Sequence, residues 1–198
     1  MQEKPFSAAC ENNKEPILRV LESVFNRAKT VLEIGSGTGQ HAVYFSAHLP
    51  HLTWQPSDRA ENLPGINLWL ADAQQGNINP PLILDVRDGA WPEAAYDGVF
   101  SANTAHIMAW ETVLLMLAGA ANRLVEGGAF CLYGPFNYDG EFTSESNARF
   151  HQSLIMRDPA MGIRDCESVV SAAQACGLQL QSDNDMPANN RLLVLKKV

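Results

Sequence analysis

A turn of three alternate glycines follows residues 30–34, the first predicted strand of the chain. The turn consists of Gly35, Ser36, Gly37, Thr38 and Gly39. Residues without a Cβ let the backbone turn sharply and come closer to a ligand than a side chain would allow. The spacing therefore predicts a binding site for a small ligand at the end of the first strand.

The glycine spacing and a neighbouring charge limit what this ligand can be. The dinucleotide-binding fingerprint has glycines at its first, third and sixth positions, whereas Gln40 occupies the sixth position here. Glu33 stands two residues before Gly35, where its carboxylate would repel a diphosphate and attract a cation. These features favour a cationic ligand over a dinucleotide.

Further side chains with useful chemistry stand near the ends of the next three predicted strands. They are Asp58, Asp85, Val86, Ser101, Asn103 and His106. A carboxylate accepts several hydrogen bonds, and an asparagine side chain both donates and accepts them. His106 can exchange a proton near neutral pH. Each position also has a purely structural interpretation, with the aspartates as turn residues, Asn103 fixing its loop and His106 packing in the core.

Strand and helix patterns alternate along the chain and position these residues. Strands are predicted over 30–34, 52–55, 81–86, 96–101, 129–133, 178–181 and 192–196, and helices over 14–25, 40–48, 109–124 and 165–177. Asn13 is expected to cap the first helix, with Pro16 in its first turn, where the missing N–H has no consequence.

This alternation predicts a single α/β domain over residues 1–198. Strands separated by helices of this length indicate right-handed crossovers and a mainly parallel sheet with helices on both faces. Ligands of such sheets bind at the carboxyl ends of the strands, near the point where the strand order reverses. The glycine turn and the polar residues after the later strands are therefore expected to meet at one edge of the sheet.

Residues 137–164 show no strong periodicity. A structureless segment of this length inside a domain is usually a lid or a binding loop. Phe142, Phe150, His151 and Met156 could close over a small substrate. A helical segment that merely covers the sheet is the alternative.

The histidines and cysteines do not form a metal-binding pattern. His41, His48 and His51 lack the spacing of a ligand set and are predicted to lie on the surface, so no metal is expected. The cysteines Cys10, Cys131, Cys166 and Cys176 include no CxxC pair. They indicate free thiols in a reducing compartment.

No segment resembles a targeting or membrane-spanning sequence. Residues 1–16 lack the apolar core of a signal peptide. The longest apolar run, residues 113–121, is far shorter than the roughly 20 residues that span a bilayer. The expected location is the cytoplasm, with no membrane partner.

An acidic residue, one spacer and Gly-x-Gly-x-Gly resemble the first motif of the class I S-adenosylmethionine-dependent methyltransferases. The resemblance extends over nearly the whole chain and implies a Rossmann-like sheet of seven strands with the last antiparallel. It also implies that Glu33 lies near the methionine amino group, with Gly35, Gly37 and Gly39 under the cofactor.

The resemblance implies roles for the later strand ends as well. Asp58 would bind the ribose hydroxyls, although it comes slightly late after the second strand, and Asp85 with Val86 would contact the adenine. The segment from Ser101 to His106 would face the methyl group and the acceptor. The full set of cofactor-binding candidates is Glu33, Gly35, Ser36, Gly37, Thr38, Gly39, Asp58, Asp85, Val86, Ser101 and Asn103, and the catalytic candidate is His106.

A narrower resemblance is to the methyltransferase-like twenty-six family, formerly a domain of unknown function. The segments that carry it are residues 8–18, 54–58, 101–106 and 133–136. This resemblance supplies no substrate.

Charge disfavours nucleic acid as the acceptor. Lys and Arg number 14 against 22 Asp and Glu, a net charge of −8, whereas nucleic-acid-binding proteins usually carry a basic surface. The tetrad Asn79–Leu82 is similar to the Asn-Pro-Pro-aromatic signature of amino-group DNA methyltransferases. It ends in leucine and precedes the third strand, so it is predicted to be a loop into an edge-side strand.

The sequence therefore predicts a methyltransferase that moves a methyl group from S-adenosylmethionine to a small molecule. Two alternatives stay open at this point. One is a nucleotide-dependent oxidoreductase, which the missing sixth-position glycine disfavours. The other is a non-catalytic module that binds S-adenosylmethionine. The methyl acceptor and the oligomeric state are not predicted.

Overall fold

The computed structural model describes residues 3–198, which form strands and helices in alternation. The strands are β1 (Thr30–Ile34), β2 (Thr53–Asp58), β3 (Leu82–Ile83), β4 (Tyr96–Ala102), β5 (Leu124–Gly134), β6 (Phe136–Asn137), β7 (Arg164–Asp165), β8 (Leu178–Met186) and β9 (Asn190–Lys197). The helices are α1 (Ala8–Val24), α2 (Gln40–His48), α3 (Leu63–Ala71), α4 (Trp110–Arg123), α5 (Glu145–Arg157) and α6 (Cys166–Ala175).

A seven-stranded sheet in the order β3-β2-β1-β4-β5-β9-β8 forms the centre of the fold. Neighbouring strands from β3 to β5 pair in parallel, whereas β9 is antiparallel to both β5 and β8. The predicted seven strands with an antiparallel last strand are confirmed. The strand order reverses between β1 and β4, and this is the place where ligands of such sheets bind.

Each face of the sheet carries its own hydrophobic core. Successive side chains of a strand point to opposite faces, so Leu32 packs in the core with α4 and α6, and Val31 packs in the core with α1 and α2. The burial of β1 on both faces explains its continuous apolar sequence. Glu33 shares the α1 and α2 side with Val31, which becomes important at the site.

Helix α1 begins six residues earlier than predicted. The Ser7 side chain accepts a hydrogen bond from the Cys10 N–H and caps the helix. Asn13 is therefore an interior, buried residue and not a cap, and Pro16 lies inside the helix instead of in its first turn. The apolar periodicity beyond Asn13 identified the helix but not its start, because the first turns are mostly small and polar.

Helix α3 was not predicted, and the neighbouring strands differ in length from their predictions. Pro64 and Gly65 both argue against a helix in this segment, but Pro64 falls in the first turn, where it is tolerated. A Cβ on Gly65 would come within 2.8 Å of Pro5, so the glycine admits the N-terminal segment. The third strand contains two residues instead of six, while β2 continues to Asp58.

Residues 137–164 are not structureless, contrary to the prediction. They contain α5, whose N-terminus is capped by the Ser144 side chain, which accepts from the Asn147 N–H at 3.1 Å. Strands β6 and β7 pair in parallel and bring the two ends of the segment together. The segment is therefore a helical excursion closed at its base.

Several whole-chain expectations can be compared with the part of the chain that the structure describes. Within residues 3–198, no helix has the length and apolarity needed to cross a membrane. No cluster of three or more potential metal ligands is found in the same range. The four cysteines are unpaired, and Cys131 lies in the core.

Candidate active site

A cavity of about 990 Å³ lies over the carboxyl ends of the parallel strands. Its lining consists of residues 7, 9, 10, 34–38, 41, 58, 59, 62, 84–87, 102–104, 106–109, 112, 135, 146, 147, 150, 158, 161, 188 and 190. Gly39, a predicted cofactor residue, is not part of this lining, and a Cβ there would come within 3.1 Å of Ile66 in α3. We call the part of the lining within residues 7–10 and 34–41 the turn end, and the part formed by His106 and by lining residues within 146–161 and 188–190 the α5 end. The predicted convergence of strand ends is thus present.

The glycine turn is built so that its backbone faces the cavity. Gly35 and Gly37 have φ values of +72° and +58°, which favour glycine. A Cβ on Gly35 would come within 2.7 Å of the Thr104 side chain, whereas a Cβ on Gly37 would meet no atom within 4 Å. Gly37 therefore leaves open space for a ligand, and Gly35 lets the turn pack against the loop after β4.

Asp58 is buried at the end of β2 and ties this strand to the glycine turn. Its Oδ2 accepts from the Gly37 N–H at 2.7 Å, and its Oδ1 accepts from the Arg59 N–H at 2.7 Å and from Asn62 Nδ2 at 2.8 Å. The prediction that Asp58 comes late is wrong, because β2 continues to that residue. Three of about four acceptor positions of the carboxylate are occupied, which leaves room for about one ribose hydroxyl, not two.

Glu33 does not lie at the mouth of the cavity, contrary to the expectation. Its side chain is buried on the α1 and α2 side of the sheet, where Oε2 accepts from Trp54 Nε1 at 3.0 Å and from Ser36 Oγ at 2.8 Å. Burial raises the pKa of Glu33 to about 7. Glu33 is not among the residues that line the cavity, whereas Ser36 and Thr38 are.

Asp85 and Val86 line the cavity beyond the short strand β3. Asp85 accepts from Arg87 Nε at 2.9 Å and from Arg87 Nη2 at 2.5 Å, and this contact lowers the pKa of Asp85 to about 2. Val86 is buried. An apolar surface beside an ionised acceptor fits an adenine ring and its amino group.

Asn103, in the loop after β4, lines the cavity, whereas Ser101, within β4, does not. Ser101 is fully buried, and its hydroxyl donates to the Ile34 carbonyl at 2.8 Å, so it does not line the cavity. The structure therefore gives no support to its predicted contact with the cofactor. Asn103 lines the cavity with a left-handed φ of +59°, and its N–H donates to the Tyr133 carbonyl at 2.9 Å.

His106 lines the cavity beside the α5 end. Its ring meets the edge of Phe150 with a centroid distance of 5.3 Å, and its carbonyl accepts from the Gly162 N–H at 2.9 Å. Burial, followed by the charges of Arg157 and Arg164, lowers the pKa of His106 to about 4. His106 is thus neutral at neutral pH and lies on a turn after β4.

The prediction of a surface histidine was wrong for His41. This residue is buried and lines the turn end of the cavity, and its Nε2 is 2.7 Å from Asn13 Oδ1. Asn13 and His41 stand 28 residues apart, and no local pattern pairs them. His48 and His51 are exposed, as predicted, and His51 Nε2 is 2.9 Å from the Phe25 carbonyl.

A sequence profile described as "Protein of unknown function (DUF938)" matches residues 4–197. The chain belongs to this family. The description carries no activity, so the narrower resemblance of the DUF938 chain to the methyltransferase-like twenty-six family stays a prediction.

Solved structures with the same fold include proteins described as O-methyltransferases. An O-methyltransferase family 2 protein from Planctomyces limnophilus, solved in complex with apigenin, has a TM-score of 0.84 at 15% identity, over 96% of this chain and 58% of that one. An O-methyltransferase family protein from Burkholderia thailandensis has a TM-score of 0.80 at 19% identity, over 93% and 56%. PigF with SAH has a TM-score of 0.79 at 17% identity, over 92% and 55%.

These likenesses establish the fold. The DUF938 chain has the Rossmann-like fold of the class I methyltransferases, as the resemblance implied. It spans a little over half the length of these neighbours.

Proposed function

We propose that the DUF938 chain is a methyltransferase that transfers a methyl group from S-adenosylmethionine to a small molecule. The observation that carries the proposal is the contact between Asp58 and the Gly37 N–H, 2.7 Å long, at the reversal of strand order. It joins a glycine turn with open space above it to a carboxylate that still has room for a hydroxyl.

The residues that line the cavity fit the cofactor from one end to the other. The open turn at Gly37 suits the methionine part, and the remaining acceptor position of Asp58 suits one ribose hydroxyl. Asp85 and Val86 suit the adenine ring. Asn103 belongs to the segment from Ser101 to His106, which is expected to face the methyl group and the acceptor. The bound cofactor would supply a methyl group activated on a sulfonium.

The protein's own contribution to the reaction is alignment. Holding two reactants in line supplies on the order of 7–11 kcal/mol of the barrier, so a strong base is not required. His106 is neutral and lines the cavity, and its ring would accept the hydrogen bond of an attacking O–H or N–H group. Its pKa of about 4 makes it a weak base. We therefore expect no step in the rate near neutral pH from the titration of His106.

The α5 end of the site favours a small molecule with an apolar part. A cavity of about 990 Å³ holds a cofactor and a small acceptor together. Near His106 the lining includes the apolar side chains of Ile107, Phe150 and Met161. The net charge of −8 disfavours nucleic acid. The neighbours described as O-methyltransferases support transfer to oxygen.

The oxidoreductase alternative is disfavoured by the side chain at the sixth position of the turn. Gln40 Oε1 accepts from the Ser7 N–H at 2.5 Å, and Gln40 Nε2 donates to Glu11 Oε1 at 2.8 Å. The side chain therefore anchors α1 where the dinucleotide fingerprint has a glycine. We further place the protein in the cytoplasm, supported by its four unpaired thiols.

The proposal is tested by incubating the protein with methyl-labelled S-adenosylmethionine and a metabolite extract. The expected result is a labelled small molecule that forms with the wild-type protein and not with Gly37→Val. Tight cofactor binding without any labelled product across varied extracts would favour the non-catalytic binding module. Absence of cofactor binding would refute the proposal itself.

A further inference from the structure

The chain buries a histidine at the turn end that the proposed function has not used. His41 is only 4% exposed and belongs to the first turn of α2, two residues after the glycine turn. Its ring stacks on Phe45 with a centroid distance of 5.1 Å and meets the edge of Phe100 at 5.9 Å. The aromatic neighbours fix the plane of the imidazole.

The partner of the ring also fixes its tautomer. Asn13 Oδ1 can only accept a hydrogen bond, so His41 Nε2 donates across the 2.7 Å contact. In a neutral imidazole the other nitrogen is then an acceptor. Burial lowers the pKa of His41 to about 4, so the ring stays neutral at neutral pH.

The second ring nitrogen, Nδ1, accepts no hydrogen bond from the residues that the structure describes. The bond to Asn13 is the hydrogen bond that the His41 side chain makes within residues 3–198. Nδ1 is not among the fully buried unpartnered atoms of the described residues, and His41 lines the cavity. Nδ1 is therefore available to a hydrogen-bond donor of a bound molecule.

The donor is identified by the neighbours of His41. Gly35, Ser36, Gly37 and Thr38 line the same end of the cavity, and so does Cys10 from α1. Under the proposed function this end holds the methionine part of the cofactor, whose donor group is the α-ammonium. Glu33, which the resemblance assigned to that group, is outside the lining and already accepts two hydrogen bonds at Oε2.

We propose that His41 Nδ1 accepts a hydrogen bond from the α-ammonium group of S-adenosylmethionine, in place of Glu33. This role rests on the proposed function. Asn13 acts as the positioning residue, because it holds the imidazole in the tautomer that can accept. The pair explains why two polar side chains are buried between α1 and α2 next to an otherwise apolar core.

The test is calorimetric binding of two ligands that differ only in the amino group. The ligands are S-adenosylhomocysteine and its analogue without the α-amino group. His41→Gln retains an amide near the position of Nε2, for the contact with Asn13, but removes the acceptor at Nδ1. We expect it to weaken S-adenosylhomocysteine binding about 10- to 100-fold, and binding of the desamino analogue by less than about twofold.

Two further variants separate the contact from a structural effect. His41→Asn places a polar atom near the position of Nδ1, so it should recover part of the affinity for S-adenosylhomocysteine. His48→Gln makes the same substitution at an exposed position of α2 and should bind both ligands as the wild-type protein does. Thermal unfolding of each free variant shows whether it is folded.

The outcomes distinguish this inference from the function on which it rests. If His41→Gln weakens both ligands equally, or neither, His41 does not bind the ammonium group, although the methyltransferase proposal stands. If the folded wild-type protein does not bind S-adenosylhomocysteine at all, the proposed function fails and the role of His41 fails with it. A loss confined to the ligand that carries the amino group supports the inference.

Discussion

The turn end and the α5 end of the cavity each contain a buried, neutral histidine, but they hold it differently. At the turn end, His41 is oriented by a hydrogen bond to Asn13 and by two aromatic rings. At the α5 end, His106 meets the edge of Phe150, whose side chain is 40% exposed. One imidazole is fixed by its surroundings, and the other faces a half-exposed side chain.

The difference extends to the surrounding side chains. Ser36 and Asp58 at the turn are buried and hydrogen-bonded within the protein. On α5, Phe150 lines the cavity and is exposed, whereas the exposed side chains of Phe142 and Met156 lie outside it. A ligand with a constant structure is best bound by preorganised groups, whereas an acceptor can be enclosed by side chains that rearrange. The contrast therefore agrees with a cofactor at the turn end and an acceptor at the α5 end.

The largest effect is expected from Gly37→Val. The substitution places a branched side chain in the open space above the turn, so binding of S-adenosylhomocysteine should be lost, with at least about a 100-fold decrease in affinity. Calorimetry measures this loss. The strain of a valine at positive φ, about 1–2 kcal/mol, should appear separately in the unfolding free energy.

Gly127→Val is the matched control for this strain. Gly127 has a φ of +77°, and a Cβ there would also meet no atom within 4 Å, but the residue is outside the cavity. This variant should be destabilised to a similar degree and should bind the ligand normally. Equal loss of binding in both variants would mean that the turn acts through stability alone.

The next effect concerns turnover and the α5 end. His106→Gln retains some hydrogen bonding but removes the imidazole, so turnover should fall about 100-fold, the lower end of the range for a lost base. Cofactor affinity should be unchanged, because His106 lies beside Phe150 and not at the glycine turn. Steady-state rates with the acceptor found in the extract measure the first effect, and calorimetry measures the second.

His48→Gln supplies the same substitution at an exposed residue and should leave turnover unchanged. If His106→Gln reacts within about threefold of the wild-type rate, His106 is a packing residue, and alignment alone accounts for catalysis. If instead its main defect is in cofactor binding, the division of the cavity into two ends is wrong.

A smaller effect concerns stability and the buried carboxyl of Glu33, which accepts a hydrogen bond from Ser36 of the glycine turn. Burial raises the pKa of Glu33 from 4.5 to about 7, so the folded protein keeps a proton that the unfolded chain releases. The stability contributed by this group is present in full below pH 4.5 and is lost as pH rises through about 7. Glu33→Gln should lack this loss, while its amide oxygen still accepts from Trp54 and Ser36.

As the pH rises from 4.5 to 7, the unfolding free energy of Glu33→Gln should therefore increase relative to that of the wild-type protein, by up to about 3 kcal/mol. Urea unfolding at several pH values measures the difference. His41 and His106 change the stability of both proteins equally as the pH falls from 6.5 to about 4, so they cancel in the comparison. A constant difference across this range would show that Glu33 is ionised throughout.

The smallest effect is expected in local dynamics. Amides of α5 should exchange faster than those of β1 and β4, because few side chains of α5 are buried. Cofactor alone should slow exchange at the glycine turn and leave α5 nearly unchanged, whereas an acceptor should slow α5. Hydrogen exchange as slow in α5 as in the central strands would remove the basis for an adaptable acceptor end.

The sequence predicted the turn end better than the α5 end. The turn, α2 and β1 follow from local signals, since glycine spacing and a buried apolar strand determine them within about 20 residues. The Asn13 and His41 pair could not be predicted, because the contact depends on how α1 packs on α2. Glu33 was misplaced for the same reason: its partner Trp54 belongs to another strand.

The α5 end was missed because its helix has weak local signals. Only Asn147 and Leu154 of α5 are buried, so there is little apolar periodicity to detect. The Ser144 cap was present in the sequence and could have indicated the start of the helix. Its position over the cavity depends on the pairing of β6 with β7, which no local pattern encodes.

The most direct test of the account is ligand-dependent unfolding with S-adenosylmethionine, S-adenosylhomocysteine and NAD. At a concentration 100 times its dissociation constant, a bound ligand adds about 2.7 kcal/mol of stability. For a domain of this size, that raises the melting temperature by roughly 5 to 10 °C. The account predicts this shift with S-adenosylmethionine or S-adenosylhomocysteine and none with NAD. A shift with NAD alone would contradict it.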